Sequence, residues 1–125
     1  MTASEFRYLK ATEELFSEDQ EVKLTDIAGK MKLSKASVYR AVERLVAAGY
    51  LIRRGNKTIT PTDKGLTALK EYTLCIDFIK NTIERNWKVS PGTAYTDAVN
   101  TVCIISDASR NSILNYLNKK TNRPV

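Results

Sequence analysis

Ser34, Lys35, Ala36, Ser37 and Arg40 open one helical stretch, and Arg53, Arg54 and Lys57 crowd a hairpin that follows it. Small residues at a helix start let its free amide groups approach an anion, and an arginine one turn further on carries a fork of donors that fits a phosphate or the two acceptors of guanine. This is recognition chemistry, not bond-making. Catalysis has little to draw on: with no histidine in the chain there is no imidazole base and no Ser-His or Cys-His arrangement. Neither a P-loop nor a dinucleotide fingerprint is present, and Gly29, Gly49, Gly55, Gly65 and Gly92 each fall at a turn or helix end. The reading is therefore of a protein that is not an enzyme and takes no cofactor.

Charge is unevenly spread. The net charge is +6, yet residues 1–29 sum to −4, residues 30–65 to +7 and residues 66–125 to +3. The middle segment holds Lys30, Lys32, Lys35, Arg40, Arg44, Arg53, Arg54, Lys57 and Lys64 against only Glu43 and Asp63. Such clustering points to a polyanionic partner, with a merely solvated basic surface as the alternative. The 125 residues suffice for one self-supporting core. Cys75 and Cys103, in a chain whose amino terminus is too polar for a secretory signal, fit a reducing compartment better than a disulfide. No apolar run approaches the ~20 residues needed to cross a bilayer, so no membrane is expected and the location is read as cytoplasmic.

The elements that must position these residues follow from periodicity. Phe6, Leu9, Thr12, Leu15 and Phe16 recur at helical spacing behind a candidate cap, Ser4, and give helix 1 over residues 4–17; the run 17–20 ends it. Thr25 is the expected cap of helix 2, with Ile27, Ala28 and Met31 as its apolar stripe and residues 32–34 as a turn. Ser34 caps helix 3, on which Val38, Val42 and Leu45 form one sector widened by Ala41 and Val46, until Gly49 stops it. Residues 50–54 and 57–60 read as two strands joined at Gly55 and Asn56, and residues 62–65 start helix 4. Residues 25–65 thus read as one winged helix-turn-helix, which offers one helix to the major groove of DNA.

At 100° per residue Arg40 projects ~200° from Val38, in the outward half shared with Ala36, Ser37, Glu43 and Arg44. Arg40 reads a base edge or holds a phosphate without reading sequence; the pattern leaves both open. Tyr39 meets a thymine methyl or a sugar, or packs on helix 2. Arg53, Arg54 and Lys57 reach the DNA backbone or the minor groove, or else guard an exposed strand edge.

Beyond the hairpin, Leu66, Leu69, Tyr72, Ile76, Ile79 and Ile83 repeat at threes and fours on helix 4, and Leu74, Cys75 and Phe78 broaden the stripe past one face. Ser90 and Pro91 open helix 5, whose inner face is Tyr95, Ala98, Val99 and Val102. Ser106 and Asp107 break it, and helix 6 carries Ile113, Leu114 and Leu117 before a polar end, residues 118–125, that is expected to fray. The fold class is mainly α: a DNA-binding winged helix over residues 1–65 and a three-helix dimerisation module over 66–125. The surplus apolar surface, with Leu74, Ile76, Phe78, Ile79, Ile113 and Leu117 foremost, is most economically buried by self-association, and a symmetric dimer presents two reading helices to a palindromic site.

The stretches LTDIAGKMKLSKASVYRAVERLVAAGYL, PTDKG and DAVNTVCIISDAS resemble, over nearly the whole chain, the DtxR/MntR family of metal-responsive repressors. The resemblance implies a homodimeric regulator that binds operator DNA. It also locates the family's metal sensor, built from helix 1, helix 4 and a Glu-His-x-Ile-Ser pattern on helix 5. The helix 5 pattern here is Val102-Cys103-Ile104-Ile105-Ser106, the preceding ligand position is Val99, the helix 4 position falls at or near Tyr72, and those of helix 1 fall near Arg7 and Lys10. Two cations, two valines and one thiol do not converge on a divalent ion, so no metal site is expected, and any effector is of another kind. Arg7 and Lys10 are read as solvent-facing, with a bridge to Asp77 or Asp97 as the alternative. Two function classes result: a sequence-specific DNA-binding transcriptional regulator, a repressor by resemblance, and a winged-helix protein-interaction module in a larger assembly.

Overall fold

The computed structural model describes residues 1–18, 21–55 and 57–121, with Thr121 described by its backbone alone. Asp19, Gln20, Asn56 and residues 122–125 lie outside the described residues, and with them the end of the 17–20 break, half of the expected hairpin turn and the end of the polar tail. The described elements run α1 (Ala3–Ser17), α2 (Leu24–Met31), α3 (Lys35–Ala47), β1 (Leu51–Arg54), β2 (Thr58–Pro61), α4 (Asp63–Trp87), α5 (Pro91–Ile104) and α6 (Asp107–Thr121). This is a mainly helical chain with a two-stranded antiparallel wing followed by three helices. It forms two compact units, Met1–Leu69 and Lys70–Val125.

Helix starts are set by whichever group meets the free amides, and two of them differ from the sequence reading. Thr2, not Ser4, caps α1, its hydroxyl accepting the Glu5 amide at 3.0 Å. At α2 the expected cap Thr25 lies inside the first turn; the Lys23 backbone N–H donates to the Asp26 carboxylate at 2.9 Å instead. Ser34 caps α3 as expected, its hydroxyl accepting the Ser37 amide at 3.2 Å. Between α2 and α3 the chain reverses through Lys32, held left-handed at φ 56°.

The first unit's core gathers Phe6, Leu9 and Leu15 of α1, Ile27 and Ala28 of α2, and Val38, Ala41, Val42 and Leu45 of α3. Thr12 is buried among them without cost because its hydroxyl donates to the Tyr8 carbonyl at 2.8 Å. Phe16 shares the apolar stripe but sits in the last turn of α1 and is 40 % exposed. Val22, which the periodicity did not single out, is buried, and its carbonyl accepts the Ile59 amide at 2.8 Å, closing the free edge of β2.

The wing pairs Leu51 with Pro61, Ile52 with Thr60, Arg53 with Ile59 and Arg54 with Thr58. Its base is tied to α3 and α4 by a dense set of bonds. Gly49 takes φ 83°, the Tyr50 amide returns to the Leu45 carbonyl at 2.9 Å, and the Thr62 hydroxyl donates to the Gly49 carbonyl at 2.6 Å while accepting the Gly65 amide at 3.0 Å. Lys64 donates to the Ala48 carbonyl at 2.7 Å, serving the end of α3. Gly65 is more than a helix start: a Cβ there would stand 2.1 Å from the Tyr50 carbonyl oxygen.

In the second unit Cys75, Ile76 and Ile83 of α4 and Ala94, Ala98, Val99 and Val102 of α5 are buried. Arg110 of α6 binds this unit together. Its guanidinium donates to the Val102 and Ile105 carbonyls, both at 2.7 Å, pairs with Asp107, and lies 4.8 Å over the Tyr72 ring. Ser106 caps α6 through the Ser109 amide at 3.2 Å.

The close approach at Gly65 predicts that Gly65→Ala forces the wing base apart and costs about 1–3 kcal/mol of stability. Chemical denaturation of the variant beside the parent measures this; an unchanged midpoint refutes the approach as a constraint.

Candidate nucleic-acid interface

The helix-turn-helix leaves one side of α3 uncovered. Ser34, Lys35, Ala36, Tyr39, Arg40, Glu43 and Arg44 are exposed and Ser37 is half-buried, while Val38, Ala41, Val42 and Leu45 point into the core. The small residues at the helix start therefore leave its amide end open to an approaching anion. Arg54 and Lys57 at the wing are exposed too.

Electrostatics divide the nine cations of residues 30–65 into two sets. Lys30 pairs with Glu14 at 3.3 Å, Arg44 reaches Glu5 at 3.9 Å, Arg53 pairs with Glu43, and Lys64 serves the Ala48 carbonyl. Among the described residues, Lys32, Lys35, Arg40, Arg54 and Lys57 have no ion-pair partner. The Arg44 pair is long and its arginine side chain is 55 % exposed, so it is worth little and yields readily to a phosphate. The available positive charge thus runs from the α2–α3 turn along the start of α3 to the wing.

The sequence reading groups Arg53 with Arg54 and Lys57, reaching the DNA backbone or the minor groove or guarding a strand edge; the structure separates Arg53 from Arg54. Alternate residues of a strand face opposite ways. Leu51 is buried, so Arg53 shares its inner face, opposite buried Ile59, whereas Arg54 lies on the outer face with exposed Ile52. Arg53 Nε donates to Glu43 Oε1 at 2.9 Å, and its guanidinium stands 5.3 Å over the Tyr39 ring. Tyr39 is 51 % exposed, and its ring carries the Arg53 guanidinium. The buried Leu51 was the available clue, since a period of two assigns Arg53 to its side.

Of the residues expected to pair two copies, Leu74 is exposed, Phe78, Ile79, Ile113 and Leu117 are half-buried, and Ile76 is fully buried within the single chain, with no surface to offer a partner. Phe78 stacks on Tyr116 with ring centroids 5.7 Å apart. Tyr116, Trp87 and Ile104, exposed by 53, 70 and 83 %, are apolar surface that helical spacing alone did not pick out.

At the positions the DtxR/MntR resemblance assigns to ligands stand Arg7, Lys10, Tyr72, Val99, Val102 and Cys103, and no cluster of three or more His, Cys, Asp or Glu side chains occurs among the described residues. Arg7 is exposed and Lys10 half-buried. Cys75 and Cys103 form no disulfide. Burial pushes the Cys75 thiol up, opposed by the Arg110 guanidinium and reinforced by Glu71. Among the described residues no helix is long and apolar enough to cross a membrane.

Comparison with known proteins agrees with this geometry. The family model of the IclR helix-turn-helix domain matches residues 14–55, about a third of the chain. No curated protein matches by sequence. Among solved structures, the hypothetical protein SSo2273 from Sulfolobus solfataricus superposes with a TM-score of 0.77 at 20 % identity, covering 95 % of this chain and 91 % of that one. The manganese regulator SloR gives 0.74 at 21 % identity, and the metal-dependent transcriptional regulator MtsR 0.72 at 18 %; each comparison covers 94 % of this chain and 55 % of the other. This chain therefore spans about half the length of those two regulators. The likeness drawn from sequence to the DtxR/MntR type holds for the fold: a winged helix followed by a helical module.

The division of the cations predicts two kinds of variant. Arg40→Ala should cost about 1–3 kcal/mol on a preferred duplex and relax preference at one position, whereas Arg54→Ala should weaken preferred and random duplexes alike. Equal losses on both duplexes for Arg40→Ala, measured by fluorescence anisotropy, would assign it to a phosphate.

Proposed function

We propose that this chain is a sequence-specific regulator of transcription that binds double-stranded DNA as a homodimer, represses from a palindromic operator, and does so in the cytoplasm without a bound divalent metal. The observation that carries the reading is the run of five unpaired cations from Lys32 to Lys57, laid along the exposed side of a helix-turn-helix and its wing. Residues 1–65 read the DNA, with Ser34, Lys35, Ala36 and Ser37 setting the helix end on a phosphate and Arg40 reaching into the groove. Arg44, Arg54 and Lys57 take the flanking backbone. Residues 66–125 pair the two copies through Leu74, Phe78, Ile79, Ile113 and Leu117, with Ile76 supporting that surface from beneath.

The fold likeness to a manganese regulator and a metal-dependent regulator supports a regulatory role, while the side chains at the ligand positions separate this chain from a metal response. Its activity answers to some other effector or is constitutive. The basic face favours this reading over a protein-interaction module, because five cations without an ion-pair partner among the described residues suit a polyanion.

Selection of duplexes from a random pool by the purified protein tests the proposal. The expected product is an inverted repeat with half-sites about one helical turn apart, bound equally in chelator and in added manganese, iron or zinc. Phe78→Asp should shift the protein to a monomer by sedimentation and weaken operator binding. A pool that yields no common sequence, or a large gain on adding metal, would overturn the proposal.

A further inference from the structure

Glu43 is the single acidic residue in α3, and it stands exposed on the side where phosphates are to be met. An unpaired carboxylate there would repel every duplex. It is instead spent on Arg53: Nε donates to Oε1 at 2.9 Å, a second guanidinium nitrogen bonds the same oxygen, and the Tyr39 ring lies 5.3 Å from the guanidinium carbon. Both partners stay accessible, with side chains 46 and 32 % exposed, so the pair sits at the edge of the reading surface rather than in the core. Arg54, one residue on, faces the other way and has no ion-pair partner among the described residues.

We propose that Glu43 and Tyr39 withhold Arg53 from the DNA backbone, and that this withholding lowers the affinity of the protein for every duplex. The inference rests on the DNA-binding reading above. An arginine free at this place would add a phosphate contact that carries no sequence information and strengthens binding to every duplex. Specificity is a difference between affinities, so a contact available to all sequences cancels from it and sets only the common affinity and its salt dependence. The same pair links β1 to α3, holding the wing at one angle to the reading helix before DNA arrives. Arg53 and Tyr39 are thus positioning residues, and Glu43 lowers affinity by what it prevents.

Salt titrations on the selected operator and on a random duplex, with the full chain, test this. Glu43→Gln keeps the size of the side chain and removes its charge. It should tighten operator and random duplex alike and steepen the log-log salt slope by about 0.9 per chain, equivalent to an extra ~3.5-fold loss over a fourfold rise in salt. Adding Arg53→Ala to Glu43→Gln should return the slope to the parent value. A thermal melt of each variant confirms the fold. If the parent binds in a salt-dependent way while Glu43→Gln leaves the slope unchanged, this inference fails and the DNA-binding reading stands; a double variant with a slope about 0.9 below that of the parent likewise shows Arg53 already on a phosphate. If the parent binds no duplex, both fail together.

Discussion

The hydrogen-bonded junction between the end of α3, the base of the wing and the start of α4 is the constraint on which the reading surface depends. One threonine hydroxyl, that of Thr62, donates to the Gly49 carbonyl and accepts the Gly65 amide, and Lys64 closes the last turn of α3 through the Ala48 carbonyl. The wing leaves and returns at this point, so its angle to α3 is fixed by bonds of 2.6–3.0 Å rather than by its own two short strands. A two-stranded hairpin alone is marginal in water. Here it gains from the junction at its base, from the Val22 carbonyl along β2, and from the Arg53–Glu43 pair along β1.

With that frame fixed, the charges sort by geometry. Cations that face carboxylates or carbonyls in the first unit are structural, and those left over lie along the α2–α3 turn, the start of α3 and the wing. A count of Lys and Arg over residues 30–65 places the basic region but cannot make this division, since pairing depends on contacts across the chain: Arg44 with Glu5, Lys30 with Glu14. Net charge in sequence therefore overstates what is available to a polyanion.

Helical and strand periods made most of the architecture legible. The alternation of apolar residues in α1 to α3, the Ser34 cap and the Gly49 stop all correspond to observed features, because each is set within one or two turns of chain. The missed features are those set by distant partners. Thr2 and Lys23 begin helices that Ser4 and Thr25 seemed equally fit to start, and the choice falls to the residue with extended backbone. Val22 owes its burial to β2. Gly65 looks like an ordinary helix-start glycine until Tyr50 is placed 15 residues earlier in sequence but against it in space. Arg110 is another such case: a polar residue in a weakly apolar helix proves to tie the α5 carbonyls, Asp107 and the Tyr72 ring within the second unit.

The central claim is that one face, formed by the start of α3 and the outer side of the wing, grips duplex DNA. Nuclear magnetic resonance titration of isotope-labelled protein with a short duplex tests this most directly. The account predicts shifts concentrated at Ser34 to Arg44 and at Arg54 and Lys57, fading as salt is raised, with the amides of Val99 and Val102 unmoved. Shifts confined to the helices after the wing, or none at any salt, would contradict it.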